Sequence, residues 1–302
     1  MVSVIVSAVC LGADKPASID VAIGSGDVAV FRLISPKTEQ IDYVDFYLQE
    51  TEVTNAQFQR FLIDSRRTKD DSRVLEIVEQ RRASRRFSTG DIPYRVEDPS
   101  AIWQDGKFPD GEELFPVCFV TLEDATDFCK WLSEKHPKLG VFRLPTWNAW
   151  MIAAYGRDRP YPWGKEWGKS KVHGSFGHTF ETLNERPKRT EPVKARPAGK
   201  TPQGLFGMLG NASEFIHPED PRSANHFDLA ARWMGGGFTD GYEFGDKPAV
   251  ATPRQDYWGY SHHSNLRQCD LGFRVVLDPS HNETLLKRPR LFPQNNRAWE
   301  TQ

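Results

Sequence analysis

Short apolar runs broken by Gly, Pro and Asp make up most of the chain, and only a few stretches carry a helical period. Val28–Ile34 and Ile41–Leu48 read as strands. In the second, alternation sets Ile41, Tyr43, Asp45 and Tyr47 on one side and Val44, Phe46 and Leu48 on the other. Thr54-Asn-Ala-Gln57 is a capping box, which predicts a helix with Phe58, Phe61 and Leu62 on its buried stripe. Thr121-Leu-Glu-Asp124 opens a second helix in the same way, with Ala125, Phe128, Cys129 and Leu132 at helical spacing. Thr146 caps a third, which packs Trp147, Trp150, Ala153 and Ala154. A strand from Ala230 runs into Gly235-Gly236-Gly237-Phe238, and Leu271–Leu277 reads as a closing strand. Between these elements, Asp64–Gly90 is densely charged and Lys165–Lys200 is basic and polar, so both read as solvated surface.

Composition sharpens this picture. With 9 Trp, 19 Phe, 23 Gly and 21 Pro in 302 residues, the pattern fits an irregular, loop-rich, aromatic-cored fold better than a helical bundle. The net charge of -2 gives no electrostatic case for nucleic acid. Met1–Ala13 is apolar and ends in small residues; it reads either as the hydrophobic part of a truncated signal peptide, which favours export, or as a first strand. It is too short to span a bilayer, and no other segment is a candidate. The division expected is a segment 1–18, one domain over 19–280 and a tail over 281–302.

The 4 cysteines, Cys10, Cys118, Cys129 and Cys269, form no Cys-x-x-Cys pair and read as buried free thiols, with one disulfide among them as the alternative. His173 and His178 read as solvent-facing side chains of a long loop, with metal ligation as the weaker alternative because no cysteine lies near them. Serine-hydrolase, zinc-protease and P-loop signatures are absent. The stretch Gly204–Phe215 is too Gly-rich for a helix interior and too irregular for a long strand. Its carbonyls and the Glu214 carboxylate are expected to turn inward, which suits either a hard cation or a rigid turn without one.

Taken in order, Glu52–Phe58, Pro116–Leu132, Arg143-Leu-Pro-Thr146, Tyr161-Pro-Trp-Gly164, Gly204–Phe215, Gly235–Phe238 and Gly272-Phe-Arg274 resemble the formylglycine-generating enzyme family, the sulfatase-modifying factors, over about Gln49–Leu277. The resemblance implies an α+β, C-type-lectin-like fold of the formylglycine-generating-enzyme type, loop-rich with little regular secondary structure. It also implies an oxidase that converts a substrate cysteine to an aldehyde with copper(I) held by two cysteines. Those positions fall on Asp240 and Gly245, neither a thiol, and a hard carboxylate is no substitute for a thiolate on copper(I), so copper is not expected. The family's calcium loop falls on Gly207, Gly210, Ala212 and Glu214; Gly207 offers no side chain, which leaves Gly210, Ala212 and Glu214 as a reduced set of calcium ligands. A sulfur-transferring branch needs a His-x3-His-x-Glu motif that the chain lacks. A third branch uses the scaffold for binding only. The expected function is accordingly a non-catalytic domain that binds a peptide, protein or glycan through the 239–270 loop face, with the oxidase acting through an altered site as the alternative. The contact residues expected are Asp240, Tyr242, Arg254, Tyr257, Trp258, Tyr260, His262, His263 and Arg267, because Tyr and Trp offer apolar area with a polar tip and Arg offers directional charge.

Overall fold

Three threonines start the three principal helices. In a computed structural model, which describes residues 15–24, 26–35, 45–72, 76, 94–95, 98–175, 187–217, 231–240, 258–261 and 266–279, α1 spans Asn55–Asp64, α2 Leu122–Lys135 and α3 Trp147–Tyr155. Thr54 and Thr121 both make complete capping boxes, with Gln57 and Asp124 returning a bond to the cap backbone. Thr146 caps α3 by accepting from the Ala149 N–H at 3.2 Å. These bonds satisfy N–H groups that the helix itself leaves unpaired. The stripe of α1 buries Phe58, Phe61 and Leu62, and that of α2 buries Ala125, Phe128, Cys129 and Leu132, as their spacing requires.

A five-stranded sheet follows the order β1 (Ser18–Ala22), β2 (Val28–Ile34), β3 (Phe46–Gln49), β11 (Val276–Asp278), β5 (Val141–Arg143), antiparallel throughout. A four-stranded sheet runs β10 (Leu271–Gly272), β6 (Ser213–Phe215), β7 (Ala231–Met234), β8 (Trp258–Ser261), with β10 parallel to β6. A short parallel pair joins β4 (Tyr94–Arg95) to β9 (Arg267–Gln268).

Two expectations need correcting. All four residues of β3 are buried, because the strand is central in its sheet and covered on both faces, so alternation does not separate an exposed side there. The run Leu271–Leu277 is not one strand: it breaks at Phe273-Arg274-Val275, and its two halves join different sheets. That break carries Arg274 into the space between the sheets.

The larger core cluster gathers Phe31, Tyr47, Phe58, Phe128, Phe142 and Phe273 between the five-stranded sheet and helices α1 and α2. The rings of Phe58 and Phe128 stack at 6.1 Å, and Phe273 meets Phe128 edge-on at 5.4 Å. Each such ring contributes roughly 1.5–3 kcal/mol by burial alone. A second cluster packs Trp150, Ala153 and Ala154 of α3 against Leu48, Met234 and Val276. Among the described residues no helix is long and apolar enough to cross a membrane.

Candidate functional site

Residues 204–212 form a loop, as their glycines predict, and the rest of the Gly204–Phe215 stretch is strand β6. Gly207 and Gly210 lie at φ 65° and 80°, where a side chain is strained. Each is also closely faced: a Cβ on Gly207 would overlap the Glu52 carboxylate, and one on Gly210 would overlap the His173 carbonyl. The loop leads into β6, and there Glu214 points inward.

Glu214 sits in a fully buried knot of charge. Arg274 donates from Nε to both Glu214 oxygens at 2.8 Å and from Nη2 to Oε1 at 2.5 Å. Trp150 Nε1 donates to Oε2 at 2.7 Å. The same guanidinium reaches the Phe206 carbonyl at 2.8 Å and the Gln49 carbonyl at 3.3 Å, so it ties the glycine loop to β3 as well. Beside this pair stands Glu52, with no exposed surface. Asn211 Nδ2 donates to Glu52 Oε1 at 3.1 Å, while Glu52 Oε2 has no hydrogen-bond partner among the described residues. Burial lifts the Glu52 carboxyl to about 7; the nearby Arg274 opposes the rise and Glu214 adds to it.

These residues do not fit a calcium ion. The Glu214 oxygens already accept three charged or polar donors, and the Arg274 guanidinium neutralises the carboxylate a cation would need. Position 207 has no side chain, and the space beside it holds the Glu52 carboxylate instead. Among the described residues no three His, Cys, Asp or Glu side chains cluster as metal ligands. Gly210 and Ala212 lie in this loop as predicted, but in a network closed by an arginine.

The second place of interest is a cleft lined by Asn55, Trp103, Cys118, Arg189, Phe238 and Cys269. Phe238 ends the glycine-rich turn that follows β7. Asp240 closes that turn: its Oδ2 accepts from the Gly237 N–H at 2.8 Å, and its carbonyl accepts from the Ser175 N–H at 3.0 Å. Against the cleft lies a buried lysine. Lys69 Nζ bonds Asp71 and donates to the Phe119 carbonyl at 2.9 Å, and it lies 5.7 Å and 5.6 Å from the ring centres of Trp103 and Phe119. Burial lowers the affinity of this amine for its proton, and Asp71 opposes that shift.

A profile of the sulfatase-modifying factor enzyme 1-like domain matches residues 13–279. The chain belongs to this family. It is 30% identical over 189 residues to a formylglycine-generating enzyme of Streptomyces coelicolor, covering 56% of each chain. It is 29% identical over 124 residues to an inactive Cα-formylglycine-generating enzyme 2 of Bos taurus, covering 38% of each. The chain thus spans about half, or less, of the length of these curated relatives. Among solved structures, variable protein 1 of Treponema denticola superposes with a TM-score of 0.56 at 18% identity, over 88% of this chain and 100% of that one. That likeness establishes the fold.

Within this family member, the predicted contact residues divide. Arg267 is tied down: its Nη1 donates to the buried Asp71 at 3.0 Å. Its guanidinium is therefore joined to the Lys69–Asp71 knot, while 28% of the side-chain surface stays exposed. Trp258 and Tyr260 lie on β8, opposite Met234 and Arg232 of β7, at the end of the four-stranded sheet. Tyr242, Gly245, Arg254, Tyr257, His262 and His263 lie outside the described residues, as do Cys10 and His178. His173 is not a solvent-facing loop side chain; its Nδ1 stands 3.2 Å from both Glu191 Oε2 and Arg196 Nη2.

Sequence reasoning passed over Glu52 and Lys69. For Glu52 the available signal was an acidic residue two positions before the Thr54 cap, in the polar run Gln49-Glu-Thr-Glu52 that leads from β3 to α1. It also missed that Cys118 and Cys269, distant in sequence, line one cleft.

Proposed function

We propose that this is a non-catalytic member of the family, which binds a peptide, protein or glycan through the face carried by residues 239–270. The observation that carries the reading is Asp240. It stands where the resemblance places the first copper-binding cysteine, and its carboxylate closes the Gly237 turn at 2.8 Å. A side chain so used is a structural brace, and a carboxylate there offers copper(I) no soft ligand. The relative named as inactive supports the existence of such members. Among the described residues β8 is the last strand of its sheet, and a sheet edge is a place where an extended peptide can add a strand. A panel of peptides and glycans screened against the full chain tests this. Tyr257→Ala and His262→Ala are expected to weaken any ligand found at least tenfold without changing the melting temperature. Binding that survives both substitutions would place the interface elsewhere.

A second reading, an oxidase with an altered site, is favoured by one observation. Cys118 and Cys269 line a single cleft next to Phe238, so thiols are present near the glycine turn although not at positions 240 and 245. The Streptomyces coelicolor relative carries the active enzyme's name.

A further inference from the structure

Two segments far apart in sequence run side by side under the cleft. The Phe119 N–H donates to the Gln268 carbonyl at 3.0 Å. Two residues earlier, the Val117 carbonyl packs on Gly272, four residues beyond Gln268. The contacts occur in opposite order along the two chains, so the segments are antiparallel, and Cys118 lies opposite the stretch that begins at Cys269. Cys118 Sγ is 3.8 Å from the place where a side chain on Gly272 would begin, so the thiol is directed across this seam. Cys118 and Cys269 both face the cleft, and neither is in a disulfide here. The backbone contacts on either side of Cys118, at Phe119 and Val117, bracket Cys269 on the facing segment, so the two thiols line the cleft from neighbouring stretches of chain. A disulfide between them requires Cα atoms about 4.4–6.8 Å apart.

We propose that Cys118 and Cys269 form a reversible disulfide, which makes the floor of the cleft a redox modification site. The oxidant is a small disulfide such as oxidised glutathione. The thiolate of Cys118, the more exposed of the two, attacks one sulfur of that disulfide, forms a mixed disulfide and releases one small thiol. Cys269 then gives up its proton, and its sulfur displaces the second small thiol as the Cys118–Cys269 bond forms. Two protein thiols are oxidised and one small disulfide is reduced to two thiols, so electrons and protons balance. Cys129 lies on the buried stripe of α2, which keeps it out of this exchange. The bond would clip the end of the 239–270 segment to the strand-like approach to α2, and so fix one border of the cleft. Burial and the neighbouring Asp270 carboxylate push the Cys118 thiol up, so exchange quickens as the solution becomes alkaline. The proposal stands whether or not the cleft belongs to a binding face.

The test uses the full chain, reduced, freed of reductant and treated with oxidised glutathione at mildly alkaline pH. Acid quenching, alkylation and digestion without reduction precede mass spectrometry. The expected product is a peptide pair joined through Cys118 and Cys269, lost on treatment with dithiothreitol, with Cys129 still a thiol. In Cys118→Ser and Cys269→Ser the cross-link disappears, and the remaining cysteine carries a glutathione adduct. Melting curves of both variants verify that they fold. Glutathione on each cysteine of the unmutated chain without a cross-link, a cross-link through Cys10 or Cys129, or no reaction at all would overturn the proposal.

Discussion

Arg274 grips Glu214 through two nitrogens, at 2.8 Å and 2.5 Å, and neither residue has exposed surface. The arginine comes from the break between β10 and β11 and the glutamate from β6, so the ion pair joins the closing segment to the glycine loop. Removal of either partner leaves a buried charge uncompensated, at a cost of about 3–5 kcal/mol. Arg274→Leu is expected to show that loss in urea unfolding. The double variant Glu214→Leu/Arg274→Leu is expected to lose less than the sum of the two single variants, because the orphaned charge is gone. Additive losses would show that the two side chains stabilise the fold independently.

Glu52 gives the fold a pH dependence. Its carboxyl has an ordinary value of 4.5 and is lifted by burial to about 7. Between those values the folded protein holds a proton that the unfolded chain has released. The stability this group contributes is therefore complete below 4.5, declines as pH rises through that window and is lost above 7. Glu52→Gln keeps a neutral, similarly shaped side chain at every pH. Relative to this variant, wild type is expected to lose on the order of 3 kcal/mol between about pH 5 and about pH 8. A constant difference across that range would mean that Glu52 is not a buried, proton-holding acid.

The same knot predicts indifference to calcium. With Arg274 and Trp150 on the Glu214 oxygens, the melting temperature is expected to be the same in excess calcium and in excess chelator. A calcium-dependent rise in melting temperature, abolished by Glu214→Gln, would show that the arginine yields its place to a cation.

The parts of the fold set by local chemistry were legible in the sequence. Thr54-x-x-Gln57 and Thr121-x-x-Asp124 announced α1 and α2 because a capping box is complete within four residues. The loop over residues 204–212 was legible because Gly207 and Gly210 stand where other residues are strained. What stayed hidden depends on distant partners. Nothing near Glu214 reveals that its counter-charge is Arg274, and nothing near Cys118 reveals Cys269. Arg267 looked like a binding residue because an arginine among aromatics matches a recognition loop; its partner Asp71 lies far earlier in the chain. In β3, local alternation was outvoted by its central place in the sheet.

The absence of thiols at positions 240 and 245 is the ground for a non-catalytic reading, and one turnover assay tests it most directly. Purified protein, copper(I) and oxygen are incubated with a peptide carrying the sulfatase-type Cys-x-Pro-x-Arg sequence, and the cysteine is followed by mass spectrometry. The predicted result is an unchanged cysteine, while the Streptomyces coelicolor enzyme converts the same peptide in parallel. Aldehyde formation by this chain, lost in Cys118→Ser or Cys269→Ser, would contradict that reading and place an oxidase at the cleft.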